Sequence, residues 1–405
     1  MHSFYLLSCV GLASALVPQC HPQLGEEFCP SSQAMSNEHH ARYEEHRKEY
    51  PVIFPNSTTQ NKVLEETLFP ELNKARVEKD LREFTDPGLF KSRHCASKFG
   101  KLAQYWIFDK IHNITARSVD VRFIRNKTPQ SSVVIKIPGL SNNSISIGAH
   151  IDSINQYGSE NGTIDTMIAP GADDNGSGSI VLLEVFRAFI AHVTAVGVLQ
   201  NEVQFHWYAS EEIGLVGSRQ VFSDMRDKSF PLRATLNLDM IGYPGEGADK
   251  IGVQQDHVDK NLTAFVTSLV ETVSNYVSSS FRANLAHTVI ICPDLLSPSP
   301  LYRAPFMAFK SPLFTCNYYS NASAGNITCG YPCSDHASAF RYKYASAMVG
   351  ESAYIKTYPF APVSSNPFIH TASDTIENNI DFDYMMKFAR LALAFVVELG
   401  DYHFE

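Results

Sequence analysis

The stretch SISIGAHID, Ser144 to Asp152, decides the fold, because it reads as a β-strand that runs into two ionisable residues, His150 and Asp152. Ahead of it SVVIKI, Ser132 to Ile137, reads as a second strand. Behind it the apolar segment from Ser179 to Val196, opened by glycines, reads as a helix. Strands follow at EVQFHWYAS (Glu202 to Ser210) and RATLNLDMIG (Arg233 to Gly242), then a helix from about Asn261 to Val277. SAMVGES, Ser346 to Ser352, reads as a further strand, and Asp381 to Leu399 as a closing helix. Upstream, helical patterns cover Lys74 to Glu83 and Ala96 to His112. This alternation predicts an α/β fold, a three-layer αβα sandwich with a central mixed β-sheet. No internal repeat is found.

The chain has 405 residues, 44% of them hydrophobic, enough for a sizeable core. A net charge of −9 supplies no basic face for phosphate contacts, so no nucleic-acid partner is expected. The apolar run from Phe4 to Val17 is too short to span a bilayer and ends near the small residues Ala13 and Ala15. Residues 1–16 are therefore expected to be a secretory signal, and the protein to be extracellular with no stable membrane anchor. Nine Asn-x-Ser/Thr sequons, at Asn56, Asn113, Asn126, Asn142, Asn161, Asn175, Asn261, Asn321 and Asn326, agree with export. Of eight cysteines, Cys9 falls inside the signal and seven remain, an odd number for an oxidising compartment. Residues 17–75 are polar and punctuated, and His39, His40 and His46 are interleaved with Glu, Arg and Lys as on a solvated helix face. This segment is expected to be a surface extension or propeptide, with the catalytic domain spanning 76–405. Nothing in the sequence points to an assembly larger than a monomer.

Four strand ends or glycine turns carry clustered acids or a histidine: GAHIDS, APGADDNGSG, ASEEIGLVGS and NLDMIGY. A fifth segment, NPFIHTASDT, adds a histidine. In an open α/β sheet the loops beyond the carboxyl ends of the strands form the ligand crevice, so these groups can converge. Gathered carboxylates repel one another unless cations lie between them, and imidazole with carboxylate is a zinc-type ligand set. No His-Glu-x-x-His helix and no Gly-x-Ser-x-Gly elbow is present, and GEGADK lacks the last glycine of a dinucleotide turn. Asp152, two residues after His150, lies on the same side of an extended strand and can accept the second imidazole N–H to fix the ring.

In this order, GAHIDS, PGADDNGSG, EEIGLVGS, LDMIGY and FIHTASDT resemble the M28 family of zinc peptidases, in particular secreted bacterial and fungal leucine aminopeptidases. The resemblance runs from about Val77 to Gly400 and implies a zinc-dependent exopeptidase fold with two zinc ions. One would be bound by His150 and Asp239, the other by Glu212 and His370, with Asp174 bridging and a cis peptide bond following it. His336 in CSDHAS is the more conspicuous histidine, but the family pattern gives the ligand role to His370. Glu211 would be the base that activates a metal-bridging water. Tyr331, within a Cys329–Cys333 disulfide that the family also carries, would stabilise the oxyanion. Met240, Cys333, Tyr354 and Ile369 match family pocket positions for the first side chain of the substrate, expected to be hydrophobic. Gly350 and Ser365 depart from the aromatic and tyrosine usual there. The expected function is hydrolysis of N-terminal residues from peptides or proteins. The alternatives are a single-zinc glutaminyl-peptide cyclotransferase of the same fold, or a non-catalytic ectodomain that retains it; the EEIGLVGS turn and the intact ligand set favour the peptidase.

Overall fold

The computed structural model describes residues 33–115, 119–158, 163–245, 250–285, 323–351, 354–358, 361–364 and 366–404. Eight strands form the central sheet: β1 (Val121–Ile124), β2 (Ser132–Ile137), β3 (Ser144–His150), β4 (Glu202–Tyr208), β5 (Leu232–Leu238), β6 (Lys250–Gln254), β7 (Ser323–Ile327) and β8 (Ser346–Gly350). Their order is β1-β2-β4-β3-β5-β8-β6-β7. The middle, β4, β3, β5 and β8, is parallel, while β1, β2 and the β6–β8 pair are antiparallel, so the sheet is mixed as expected. A separate hairpin pairs β9 (Tyr354–Tyr358) with β10 (Ala361–Ser364). The α/β fold is the one read from the sequence.

Strand alternation gives the two faces of this sheet different chemistry. On one face Ile145, Ile147, Ala149, Val203, Phe205, Trp207, Leu236 and Val349 enter the main core. Helices Gly178–Val196, Lys260–Leu285 and Phe382–Gly400 cover that face. The first of these is apolar and long enough to cross a membrane, but it is largely buried inside the protein, which is what a core helix requires. The opposite face carries Ser144, Ser146, Gln204, His206, Thr235 and Asn237, buried yet polar. Their hydrogen-bonding groups meet one another: Ser146 Oγ donates to Thr235 Oγ1 at 2.8 Å, and His206 Nε2 lies 2.9 Å from Gln204 Oε1. Helices Val216–Asp227 and His336–Arg341 cover this side around a smaller apolar cluster of Val134, Phe222 and Tyr344. Gly148 in β3 is needed here, because a Cβ would stand 2.4 Å from the Tyr208 ring.

Within the polar stretch 17–75, the described residues from Val52 to Phe69 pack into the fold. Val52, Phe54, Leu64, Leu68 and Phe69 are buried in the main core, and Phe54 packs against Phe265 and Phe404. Glu398 accepts the backbone N–H groups of Thr59 and Gln60 at 2.9 and 2.7 Å. In helix Gln33–Glu49, Arg42, Glu45, Lys48 and Glu49 are exposed, whereas Tyr43 turns inward, stacks on Phe340 at 3.9 Å and donates to Asp259 at 2.6 Å; the side chains of His39 and His40 lie outside the described residues. Leu64 and Leu68 stand one helical turn apart, but the apolar runs here are two or three residues long and broken by prolines and polar residues, so no sustained helical or strand period announces them.

Candidate metal centre

The parallel strands end where the polar face runs out. His150 is the last residue of β3, and Asp239 follows β5 by one position on the same face as Thr235 and Asn237. Asp174 comes from the turn Ala172–Ser177, entered through Gly171 at φ 55°. Glu211 and Glu212 follow β4, and His370 comes from the segment ahead of the closing helix. His150 Nε2 stands 3.1 Å from Asp174 Oδ1 and 3.3 Å from Asp239 Oδ1. His370 Nε2 stands 2.9 Å from Asp174 Oδ2 and 3.1 Å from Glu212 Oε2. Two groups of metal-ligand type result, His150–Asp174–Asp239 and Asp174–Glu212–His370, and Asp174 belongs to both.

The donor atoms fit cations. Glu212 Oε1 and Asp239 Oδ1 are buried without a hydrogen-bond partner among the described residues, a costly state unless something positive sits against them. Burial pushes Glu212 up to about 7, with the Asp174 charge adding to the effect. Burial also dominates at Glu211, which is driven well above the carboxylate range; His150 opposes that shift, and Glu212, Asp335 and Asp239 reinforce it. Burial likewise raises the Tyr331 phenol to about 12, with Glu211 the next cause, so its hydroxyl senses the same charges.

Around the centre, backbone and side chains are tied down from several directions. Asp152 accepts from the N–H groups of Glu211 and Glu212 at 3.0 and 3.2 Å. Its carboxylate stands 3.6 Å from His150 Nδ1, which lies closer, at 3.2 Å, to the main-chain oxygen of Asp152. The carboxylate thus serves the two glutamates more directly than the imidazole it was expected to orient, because the chain turns as the strand ends. Ser334 Oγ donates to Asp239 at 2.5 Å, and Asp374 accepts from the N–H groups of Asp173 and Asp174 at 2.9 and 3.1 Å. Neither role was read from the sequence, although Asp374 lies in the FIHTASDT motif and Ser334 beside Cys333. The Asp174–Asn175 peptide bond is cis. Met240 and His370 have φ of 51° and 56°, a region that residues with a Cβ seldom occupy and that clusters at functional sites.

The remaining expected residues fall as follows. Cys329 and Cys333 form a disulfide with S–S 2.07 Å, bracketing Tyr331. Cys95 is free and buried; Cys20, Cys29, Cys292 and Cys316 lie outside the described residues. His336 is buried but belongs to neither ligand group. Met240 is buried and Ile369 half-buried beside His370, while the side chain of Tyr354 and all of Ser365 lie outside the described residues. Gly350 has a local reason: a Cβ would meet the Asp239 main-chain oxygen at 2.7 Å. The Asn175 sequon cannot carry a glycan in the folded chain, since Asn175 is fully buried and its amide donates to Leu238 O at 2.9 Å.

Comparison with known proteins places this geometry. The family model described as peptidase family M28 matches residues 132–292. A probable leucine aminopeptidase of Trichophyton verrucosum is 31% identical over 339 residues, covering 82% of this chain and 75% of the relative. Leucine aminopeptidase 1 of Colletotrichum graminicola is 32% identical over 360 residues, covering 86% and 74%. The chain belongs to peptidase family M28. Among solved structures, Legionella pneumophila LapB aligns with a TM-score of 0.62 at 25% identity, over 92% of the M28 chain described here and 84% of LapB. The LapA aminopeptidase of the same organism aligns with a TM-score of 0.63 at 23% identity, covering 88% and 79%, and shares the fold. A Porphyromonas gingivalis glutaminyl cyclase also shares it, with a TM-score of 0.55 at 14% identity. The M28 fold alone therefore does not choose between hydrolase and cyclase.

Proposed function

We propose that this chain is an exported, two-zinc aminopeptidase that removes N-terminal, preferentially hydrophobic residues from peptides, with Glu211 as its catalytic base. Membership of family M28 and the aminopeptidase relatives make it a metallo-aminopeptidase, a hydrolase that takes peptides as substrates. The observation that carries the two-metal reading is the sharing of Asp174 between two ligand groups, each completed by a histidine and a second carboxylate.

His150 and Asp239 would hold one zinc, Glu212 and His370 the other, and Asp174 both. Bound there, the ions would acidify water and polarise the scissile carbonyl. Glu211 takes the proton of the attacking water and later passes it to the leaving amine. The Tyr331 phenol, pinned by the disulfide on either side, donates to the developing oxyanion. Asp152 keeps Glu211 and Glu212 divergent by gripping both of their backbone N–H groups. Export and cleavage of the N-terminal signal are supported by the leader-like residues 1–16 and by the disulfide, a bond of oxidising compartments.

The test combines zinc content by mass spectrometry with hydrolysis of Leu-p-nitroanilide. Two zinc equivalents and release of nitroaniline are expected. Fewer than two equivalents together with cyclisation of an N-terminal glutamine peptide would replace this reading with the cyclase.

A further inference from the structure

Arg93 is fully buried, yet all the side-chain hydrogen bonds it donates among the described residues go to main-chain oxygens. Nε donates to Ile151 O at 2.8 Å, Nη2 to Gly171 O at 2.7 Å, and Nη1 to Pro170 O and, at 3.4 Å, to Phe84 O. The plane lies 4.5 Å over the Phe84 ring. The Arg93 N–H donates to Ser153 Oγ at 2.9 Å, and that hydroxyl donates on to Ala169 O at 2.7 Å.

The segments held in this way matter more than their number. Ile151 sits between His150 and Asp152; Pro170 and Gly171 lead directly into the turn that carries Asp174. One rigid, planar fork therefore fastens the strand end bearing a terminal ligand to the turn bearing the bridging one. A lysine has the charge but not the fork, so it can reach one of these carbonyls and not the set. Burial pulls the guanidinium down to about 10, opposed by Asp374, Asp152, Asp174 and Glu212, so it remains a cation among these acids at neutral pH.

We propose that Arg93 is a positioning residue for the metal centre, fixing the distance between His150 and Asp174 and offsetting the mutual repulsion of the carboxylate cluster. The proposal rests on the reading that these residues hold metal. Partners one shell out from metal ligands typically contribute 10- to 100-fold in affinity, and that is the range expected here.

The test uses the full chain stripped of metal, with zinc affinity read by competition against a chromogenic chelator and ligand geometry read from the visible spectrum of the cobalt-loaded protein. Arg93→Lys is expected to weaken zinc binding by about 10- to 100-fold and to change the cobalt spectrum, and Arg93→Met to weaken it further. Ser153→Ala, which loosens the same junction from its other side and keeps Arg93, is expected to show a smaller loss in the same direction, and it decides the matter if the Arg93 variants are not recovered folded. A merely structural arginine would lower the melting temperature and leave zinc affinity, stoichiometry and cobalt spectrum unchanged; that result overturns the proposal. If the unaltered chain itself binds no zinc, the metal reading falls and this inference with it, whereas a zinc-binding parent with unchanged variants removes this inference alone.

Discussion

Two of the clusters of partly or wholly buried carboxylates among the described residues are neutralised by different means. On the flank of helix Gly178–Val196, Glu184 accepts from Arg76 at 2.6 Å and Arg187 at 2.7 Å. Arg187 reaches on to Asp80, and Lys110 joins Asp80 to Glu83 at 2.8 Å each. Three acids there meet three cations supplied by the chain. At the strand ends, the ion pairs that reach Asp174, Glu212 and Asp239 among the described residues come from His150 and His370 alone, and oxygens of Glu212 and Asp239 are left without hydrogen bonds. The first cluster completes itself. The second is completed only by something brought in, which is the physical difference between a structural ion network and a metal site.

The largest expected effect lies in the second cluster. Glu211→Gln preserves shape and removes the proposed proton acceptor, so kcat should fall by on the order of 10²- to 10⁴-fold while the metal content is unchanged. Steady-state kinetics beside metal analysis reads this, and near-normal turnover would take the base role from Glu211. Removing the metals should come next. Chelation ought to lower the unfolding free energy by about 4 kcal/mol relative to protein in zinc at a thousand times the dissociation constant, because ligand that binds only the folded state stabilises it by mass action. Denaturant unfolding with and without chelator measures it; equal midpoints would mean that the strand-end acids are neutralised without metal.

The mirror experiment touches the first cluster. Glu184 is wholly buried, whereas Arg76 and Arg187 are partly exposed, so Glu184→Gln leaves two cations that water can partly solvate. A loss of about 2 kcal/mol is expected, below the 3 to 5 kcal/mol for breaking a fully buried pair. Turnover per folded molecule should not change. A large drop in kcat would show that the two clusters are coupled and that the contrast drawn between them is too sharp.

How far this contrast was legible in the sequence follows from contact distance along the chain. His150 and Asp239 announce themselves, because each ends a strand whose pattern can be read, and Glu211 with Glu212 ends a third. His370 is singled out only by the order of the family motifs; no local periodicity marks it, and its backbone φ is that of an irregular segment. Arg93, Ser334 and Asp374 were missed as parts of the centre. Each works across a gap of many residues, as in the bond from Asp174 to Asp374 and that from Ser334 to Asp239, and a lone residue in a loop carries no sign of such a partner. The same holds for Glu184, which reads as an ordinary charge within an apolar helix until Arg76 and Arg187 are placed beside it. The buried stretch around Val52 to Phe69 was invisible for another reason: its apolar residues come in runs of two or three between prolines and polar residues, too short to show a sustained period.

The smallest expected effect tests whether burial, and not the count of ion pairs, is what separates the clusters from the rest of the surface. Arg82 bonds Glu78 at 2.9 Å one helical turn away and Glu377 at 3.1 Å, so by contacts alone it resembles Arg187. All three side chains of the Arg82 trio are more than two-fifths exposed, however, and water can replace every bond they make. Arg82→Ala should therefore cost no more than about 0.5 kcal/mol, and that cost should shrink in high salt, where exposed pairs are screened. Denaturant midpoints at low and high ionic strength give both numbers. A salt-insensitive loss as large as that of Glu184→Gln would mean that exposed pairs contribute here as buried ones do, and the distinction between a self-completed cluster and an ordinary charged surface would have to be drawn on some property other than burial.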